Sequence, residues 1–258
     1  MTFCIGMKTE EGLLAIADTR ITSGNEASTA KKISVHQHQG FAMFTLTSGL
    51  RSIRDKAITY FDERLQHDET DLDKMYKAAN ALANEIRRVH TEDQKWLVEG
   101  GLSFDLHLIL GGQLKNDDMH HLFLIYPEGN WIEVGVATPF VIIGETRYGK
   151  PVLDRVWRYG RSLSQALRDG LLAFDATRTS ATDVDPPVDV VLYLRDSYVL
   201  HELRLSAEDL EPVAQFWSSE IAAAANRASA IVDPLYRRLE LGASDGGGTH
   251  EPLLPAAG

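Results

Sequence analysis

Two apolar, β-prone runs, Thr2 to Lys8 and Gly12 to Asp18, are separated only by polar Thr9, Glu10 and Glu11. A break this short can reverse the chain but cannot hold a helix, so a hairpin is expected from Thr2 onward. Thr2 and Asp18 then both stand at strand ends. A polar stretch from Arg20 to Lys31 is expected to be a loop. Ile33 to Gln37 and Phe41 to Thr47 predict a second hairpin, turned at Gln39 and Gly40. Four strands are therefore expected first.

The period then switches to that of a helix. Leu50 to Gln66 carries Leu50, Ile53, Ala57, Ile58, Phe61 and Leu65 on one face. Asp71 to Val89 predicts a second helix with Asp71 available as its cap. Strands are expected at Phe104 to Gly111, His121 to Tyr126 and Trp131 to Ile143, the last broken near Pro139, together making a second sheet. Helices follow at Pro151 to Tyr159 and Ser162 to Asp175, strands at Val188 to Leu194 and Tyr198 to Leu205, and a long helix at Ala207 to Leu239. Strands in groups followed by helices in groups predict an α+β fold of two antiparallel sheets flanked by helices, in αββα order. Residues 1–241 are expected to form one domain, and the Gly-, Pro- and Ala-rich residues 242–258 a flexible tail.

Composition excludes several function classes. A net charge of −11 argues against a nucleic-acid partner, because phosphate neutralisation needs clustered Lys and Arg. The longest apolar runs fall far short of the roughly 20 residues that cross a bilayer, so no membrane association is expected. The single cysteine, Cys4, cannot form an intramolecular bridge, and no charged-then-apolar leader precedes the first strand. The cytoplasm is the expected compartment.

Chemistry concentrates at Thr2. Removal of Met1, expected before so small a side chain, would free an α-amine beside a secondary hydroxyl. An α-amine with a pKa of about 7.7 to 8.0 can serve as the general base for its own residue's hydroxyl. Four motifs accompany it in order: Thr2-Phe3-Cys4-Ile5-Gly6, Leu14-Ala15-Ile16-Ala17-Asp18-Thr19-Arg20, Lys31-Lys32-Ile33 and Thr47-Ser48-Gly49.

In this order and spacing the chain resembles proteasome β-subunits and the related bacterial two-component protease subunit, which are N-terminal nucleophile (Ntn) hydrolases. The segment Ile143 to Pro151 and the sequence Pro186-Pro187-Val188-Asp189 make it most similar to the bacterial ancestral β-subunit family, Anbu. The resemblance covers about Thr2 to Leu239. It implies a threonine peptidase in which Thr2 attacks an amide carbonyl, with Lys32 beside the hydroxyl, Asp18 pairing with Lys32, and the Gly49 N–H as oxyanion donor. Arg20 is expected to support the loop. Neither metal nor organic cofactor is needed. The family's later Ser-Gly and Asp-x-x-Ser-Gly-Gly supports are replaced here by Gly144-Glu145-Thr146 and Thr182 to Pro187, leaving Glu145, Thr146 and Asp183 as candidates for the supporting role. No propeptide is expected, so activation would rest on Met1 removal alone.

Other readings stand beside this one. Lys31 is the alternative to Lys32, and Ser48 the expected N-cap of the helix that follows. Cys4, on the same strand face as Thr2, offers a thiol nucleophile, although a buried strand cysteine fits its setting better. His120 and His121 adjoin Asp117 and Asp118 but point to opposite strand faces, which makes a poor chelate. His36 and His38 share one face without a third ligand. The alanine-rich final helix, with Ile221, Ala224, Ala225, Ala228, Ile231, Val232 and Leu235 able to line one side, is expected to serve assembly into a homo-oligomeric ring or open helix. A peptide or amide is the expected substrate. A catalytically idle scaffold subunit and a Cys4-dependent amidase are the competing functions. No Walker-type loop is present in the chain, and the sequence names no ATPase partner.

Overall fold

The structure, a computed structural model, describes residues 2–23, 26–67 and 72–245. The opening hairpin forms from β1 (Phe3–Lys8) and β2 (Gly12–Asp18), with Cys4 opposite Ala17 and Lys8 opposite Leu13. Every residue of both strands is buried, so their alternation separates two apolar cores rather than core from solvent. Phe3, Ile5, Met7, Leu14 and Ile16 pack to one side. Cys4, Leu13, Ala15 and Ala17 pack to the other.

These strands lie within an antiparallel five-stranded sheet, whose other members are β10 (Phe140–Gly144), β11 (Val188–Leu194) and β12 (Leu200–Leu205), in the order β10-β1-β2-β11-β12. A second antiparallel sheet runs β5-β6-β7-β8-β9, from β5 (Ile33–His38), β6 (Phe41–Gly49), β7 (Leu106–Leu114), β8 (His121–Ile125) and β9 (Trp131–Glu133). Between the sheets, Cys4 and Ala15 meet Phe44, Leu46, Ile109 and Leu122. The outer face of the second sheet is covered by α1 (Arg51–His67) and α2 (Met75–Glu99) through Met43, Leu108, Phe61 and Leu82. That of the first is covered by α3 (Lys150–Val156) and α4 (Leu163–Arg178) through Ile5, Leu153 and Phe174. The layers are α, β, β, α, the expected fold class.

Several elements differ from expectation. Arg20 to Lys31 is not all loop: β3 (Arg20–Ser23) and β4 (Glu26–Thr29) pair as a separate ribbon, Arg20 opposite Thr29. Polar residues can make a ribbon whose hydrogen bonds are backbone bonds, with no apolar face for a sequence pattern to reveal. The region Trp131 to Ile143 is divided between sheets. β9 closes the second, whereas β10 joins the first beside β1, with Phe3 opposite Gly144. The helix expected to end at Val89 continues to Glu99 without apolar periodicity, held by charge pairs such as Arg88–Glu92 and Lys56–Asp93. Its expected cap, Asp71, lies outside the described residues. The first free N–H, that of Met75, instead donates to the distant Asp117 carboxylate at 2.9 Å. Ser48 is not a helix cap either: it still pairs with His107 in the sheet, and α1 begins at Arg51. Ser162 does cap α4, in a reciprocal capping box with Gln165.

The final helix, α5 (Ala207–Asp245), has two parts. Residues up to Val213 belong to the compact unit, where Leu210 and Val213 join the core beneath α3 and α4. Residues from Ala214 form a second unit, a helix exposing Phe216, Ile221, Ile231, Val232, Leu235, Tyr236 and Leu239. The tail anticipated from Gly242 lies outside the described residues from position 246. Among the described residues, no helix is long and apolar enough to cross a membrane.

Candidate active site

Five strand ends converge on one cleft of about 370 Å³, lined by Thr2, Arg20, Lys32, Ser48, Gly49 and Gly144 among others. Thr2 precedes β1, Arg20 begins β3, Lys32 precedes β5, Gly49 ends β6 and Gly144 ends β10. Asp18 lies beneath the cleft, fully buried at the end of β2.

The Lys32 ammonium donates to both Asp18 carboxylate oxygens at 2.8 Å and to the Arg20 carbonyl, also at 2.8 Å. Three acceptors engage the three N–H bonds, which fixes the position of the group. Asp18 Oδ1 also accepts the Phe3 N–H at 2.8 Å, so one carboxylate ties the residue after Thr2 to the lysine of the other sheet. Burial pushes the Asp18 carboxyl above its usual range, against the pull of the Lys32 ammonium and the Phe3 amide. Lys32 is anchored through its backbone as well, its carbonyl accepting the Thr47 N–H at 3.1 Å. Lys31 points elsewhere and pairs with the exposed Glu202.

Two glycines give the cleft its space. Gly144 has a φ of +86°, and a Cβ there would lie 2.0 Å from the Thr2 carbonyl oxygen. Only glycine allows Thr2 to sit so close, and the next N–H, that of Glu145, donates to the same Thr2 oxygen at 2.6 Å. Gly49 has a φ of +131°, with its missing Cβ 2.0 Å from the Asp105 carbonyl. A side chain at either position would push the strand ends apart.

The supporting candidates separate. Glu145 touches Thr2 through its backbone alone, because its carboxylate is turned to Arg147, whose guanidinium holds it below the usual carboxylate range. Thr146 is half-buried, and its carbonyl accepts the Lys150 N–H at 3.1 Å. Asp183 is half-buried and is not among the residues lining the cleft. Its neighbour Asp185, which sequence reasoning passed over, pairs with Arg20 at 2.8 Å and so fixes a cleft residue. Arg51, Arg54 and Asp105 line the cleft as well. Their signal was present as two arginines in the first turn of a helix, where anions are normally favoured.

Cys4 is fully buried, with its thiol against the Thr47 carbonyl at 3.7 Å, and burial pushes its pKa far up. A thiol in that state is a poor nucleophile. His120 is buried with Nε2 2.8 Å from the Thr9 carbonyl, whereas His121 faces Glu133 and Asp117. His36 is half-buried with Nε2 3.6 Å from Asp62, and His38 stacks on Phe41.

Comparison with known proteins adds family to geometry. The proteasome subunit family model matches residues 2–191. Among solved structures, Anbu from Hyphomicrobium sp. strain MC1 is 32% identical with a TM-score of 0.78, the match covering 87% of this chain and 97% of that one. Anbu from Yersinia bercovieri is 30% identical with a TM-score of 0.79, covering 86% and 96%. The helical assembly of the Anbu complex from Pseudomonas aeruginosa is 28% identical with a TM-score of 0.82, covering 87% and 96%. No curated protein matches the chain by sequence. A cleft between two sheets, with Thr2, Lys32 and Asp18 at its strand ends, and these likenesses over most of the chain lead to one conclusion: the chain belongs to the proteasome subunit family, as a member of its ancestral β-subunit, Anbu, branch.

Proposed function

We propose that the protein is a threonine-type Ntn hydrolase that cleaves peptide or amide bonds through Thr2 once Met1 is removed. The observation carrying this reading is the buried Asp18–Lys32 pair, which also holds the Phe3 N–H at the floor of the cleft lined by Thr2. In the first step the Thr2 hydroxyl adds to the substrate carbonyl while its proton passes to the free α-amine. The carbonyl oxygen becomes an oxyanion, received by the Gly49 N–H. Collapse breaks the C–N bond, and the proton held by the α-amine goes to the leaving amine. Water then adds to the Thr2 ester, giving up its proton to the same α-amine, and the acid product leaves as the hydroxyl is restored. Lys32, its N–H bonds already engaged, acts by its positive field, which favours the developing alkoxide. The α-amine is the base.

Assembly belongs to the same reading. The Pseudomonas relative forms a helical assembly, and residues 214–239 of α5 carry a row of exposed large apolar side chains suited to burial against another subunit. We assign the protein to a homo-oligomeric ring or open helix in which this helix packs between copies.

The test is covalent. A β-lactone probe should acylate the wild type and the Cys4→Ala variant at comparable rates and leave Thr2→Ala unlabelled. Labelling lost in Cys4→Ala but kept in Thr2→Ala selects the thiol. Absence of labelling in a wild type lacking Met1 selects an idle scaffold.

A further inference from the structure

Beside the cleft at Thr2 lies a second hollow of about 220 Å³ that shares Lys32 and Arg54 with it and is also lined by Lys31, Thr47 and Asp55. Its charges are unusual for a chain of net charge −11. Arg54 is only 8% exposed. Its Nε and Nη2 both donate to Asp55 Oδ1, at 2.8 and 2.6 Å, while Arg51 Nε takes Asp55 Oδ2 at 3.2 Å. One carboxylate therefore serves two guanidiniums. The other cations of the two hollows each have their own partner: Lys32 has Asp18, Lys31 has Glu202 and Arg20 has Asp185. The surplus positive charge rests with Arg51 and Arg54. Asp105, the acidic residue of the larger cleft, is 60% exposed, so solvent screens its charge.

Both arginines occupy the first turn of α1, which holds no acidic residue, and there they oppose the helix dipole. A local charge conflict of this kind beside a reactive site is relieved when an anion binds. A buried guanidinium suits a carboxylate, because its planar fork can meet both oxygens and its low-dielectric setting strengthens the contact.

We propose, building on the hydrolase reading above, that the protein selects substrates with an acidic side chain, Glu or Asp, on the residue that supplies the scissile carbonyl, and that Arg54 is the specificity-determining residue. With that carbonyl at Thr2, the adjoining side chain enters the hollow where Arg54 and Lys32 meet.

The test has a binding arm and a chemical arm. Fluorescein-labelled peptides ending in Glu, Gln, Leu or Lys amide are titrated into full-length Thr2→Ala protein, with anisotropy giving Kd. The Glu peptide should bind about tenfold tighter than the Gln peptide, as expected for a hydrogen bond to a charged group. An additional Arg54→Gln substitution should erase that difference by weakening the Glu peptide about tenfold. Arg54→Lys should keep part of it, and Arg51→Gln, on the exposed side, should keep most of it. Equal binding of Glu and Gln peptides, or a preference that survives Arg54→Gln, overturns the proposal. Peptide epoxyketones with the same four residues next to the warhead give inactivation rates for the Thr2 form. If these label Thr2 without a Glu preference, the hydrolase reading survives and the specificity proposal falls. If none labels while the anisotropy preference holds, the hydrolase reading falls alone.

Discussion

The Asp18 carboxylate has two tasks that oppose each other energetically. Burial raises the cost of its charge, while the Lys32 ammonium and the Phe3 amide offset that cost and keep the cation beside Thr2. Removing one partner leaves the other charge buried without compensation, which costs about 3–5 kcal/mol. Asp18→Ala should therefore lower stability by about that amount, read as thermal unfolding at fixed protein concentration. The double variant Asp18→Leu with Lys32→Met should recover most of the loss, because it removes both charges, yet should not label with β-lactone. Recovery of labelling along with stability would mean that the pair is structural only. The pair was legible through the family resemblance carried by Asp18-Thr19-Arg20 and Lys31-Lys32-Ile33, whereas strand pattern alone left Lys31 and Lys32 equivalent. Arg54 and Asp185 were not, since their importance arises from what lies across the cleft rather than from their neighbours in sequence.

At the scale of elements, the hairpin β1–β2 and the helices α1 and α4 could be read from periodicity, because each buries a face whose spacing is local. The β3–β4 ribbon could not, having no apolar face. The transfer of β10 to the first sheet was hidden too, since Phe140 to Gly144 is equally strand-like whichever sheet receives it. Gly144 acquires its importance only from that transfer, which sets it against Thr2. The loop before β8 carries a further consequence of packing. His120 is pushed down to about 4 from an ordinary 6.5, chiefly by burial, and its Nε2 lies against the Thr9 carbonyl in the opening hairpin. As pH falls from 6.5, the unfolded chain takes up a proton that the folded chain refuses until about pH 4, so stability is whole above 6.5 and declines through that window. The loss should reach about 3 kcal/mol. His120→Gln, which retains a donor for Thr9, should flatten the slope in a pH series of unfolding midpoints. An unchanged slope would remove His120 from the account.

For the whole molecule, the layered fold serves to bring ends of strands from two sheets to one place, and α5 beyond Val213 offers apolar surface without covering it. Sedimentation at micromolar concentration should give a mass many times that of the 28.6 kDa chain. Ile231→Asp with Leu235→Asp should shift it towards smaller species, and a wild type that sediments as a monomer would contradict the assembly. The central claim is that a free α-amine and a hydroxyl act together at Thr2. A peptide epoxyketone reports both at once, since the hydroxyl adds to its ketone and the amine opens its epoxide to close a ring. Mass spectrometry of the treated protein should show one adduct on a chain lacking Met1, mapped to Thr2. A chain that retains Met1 and carries no adduct, or an adduct mapped to Cys4, would contradict it.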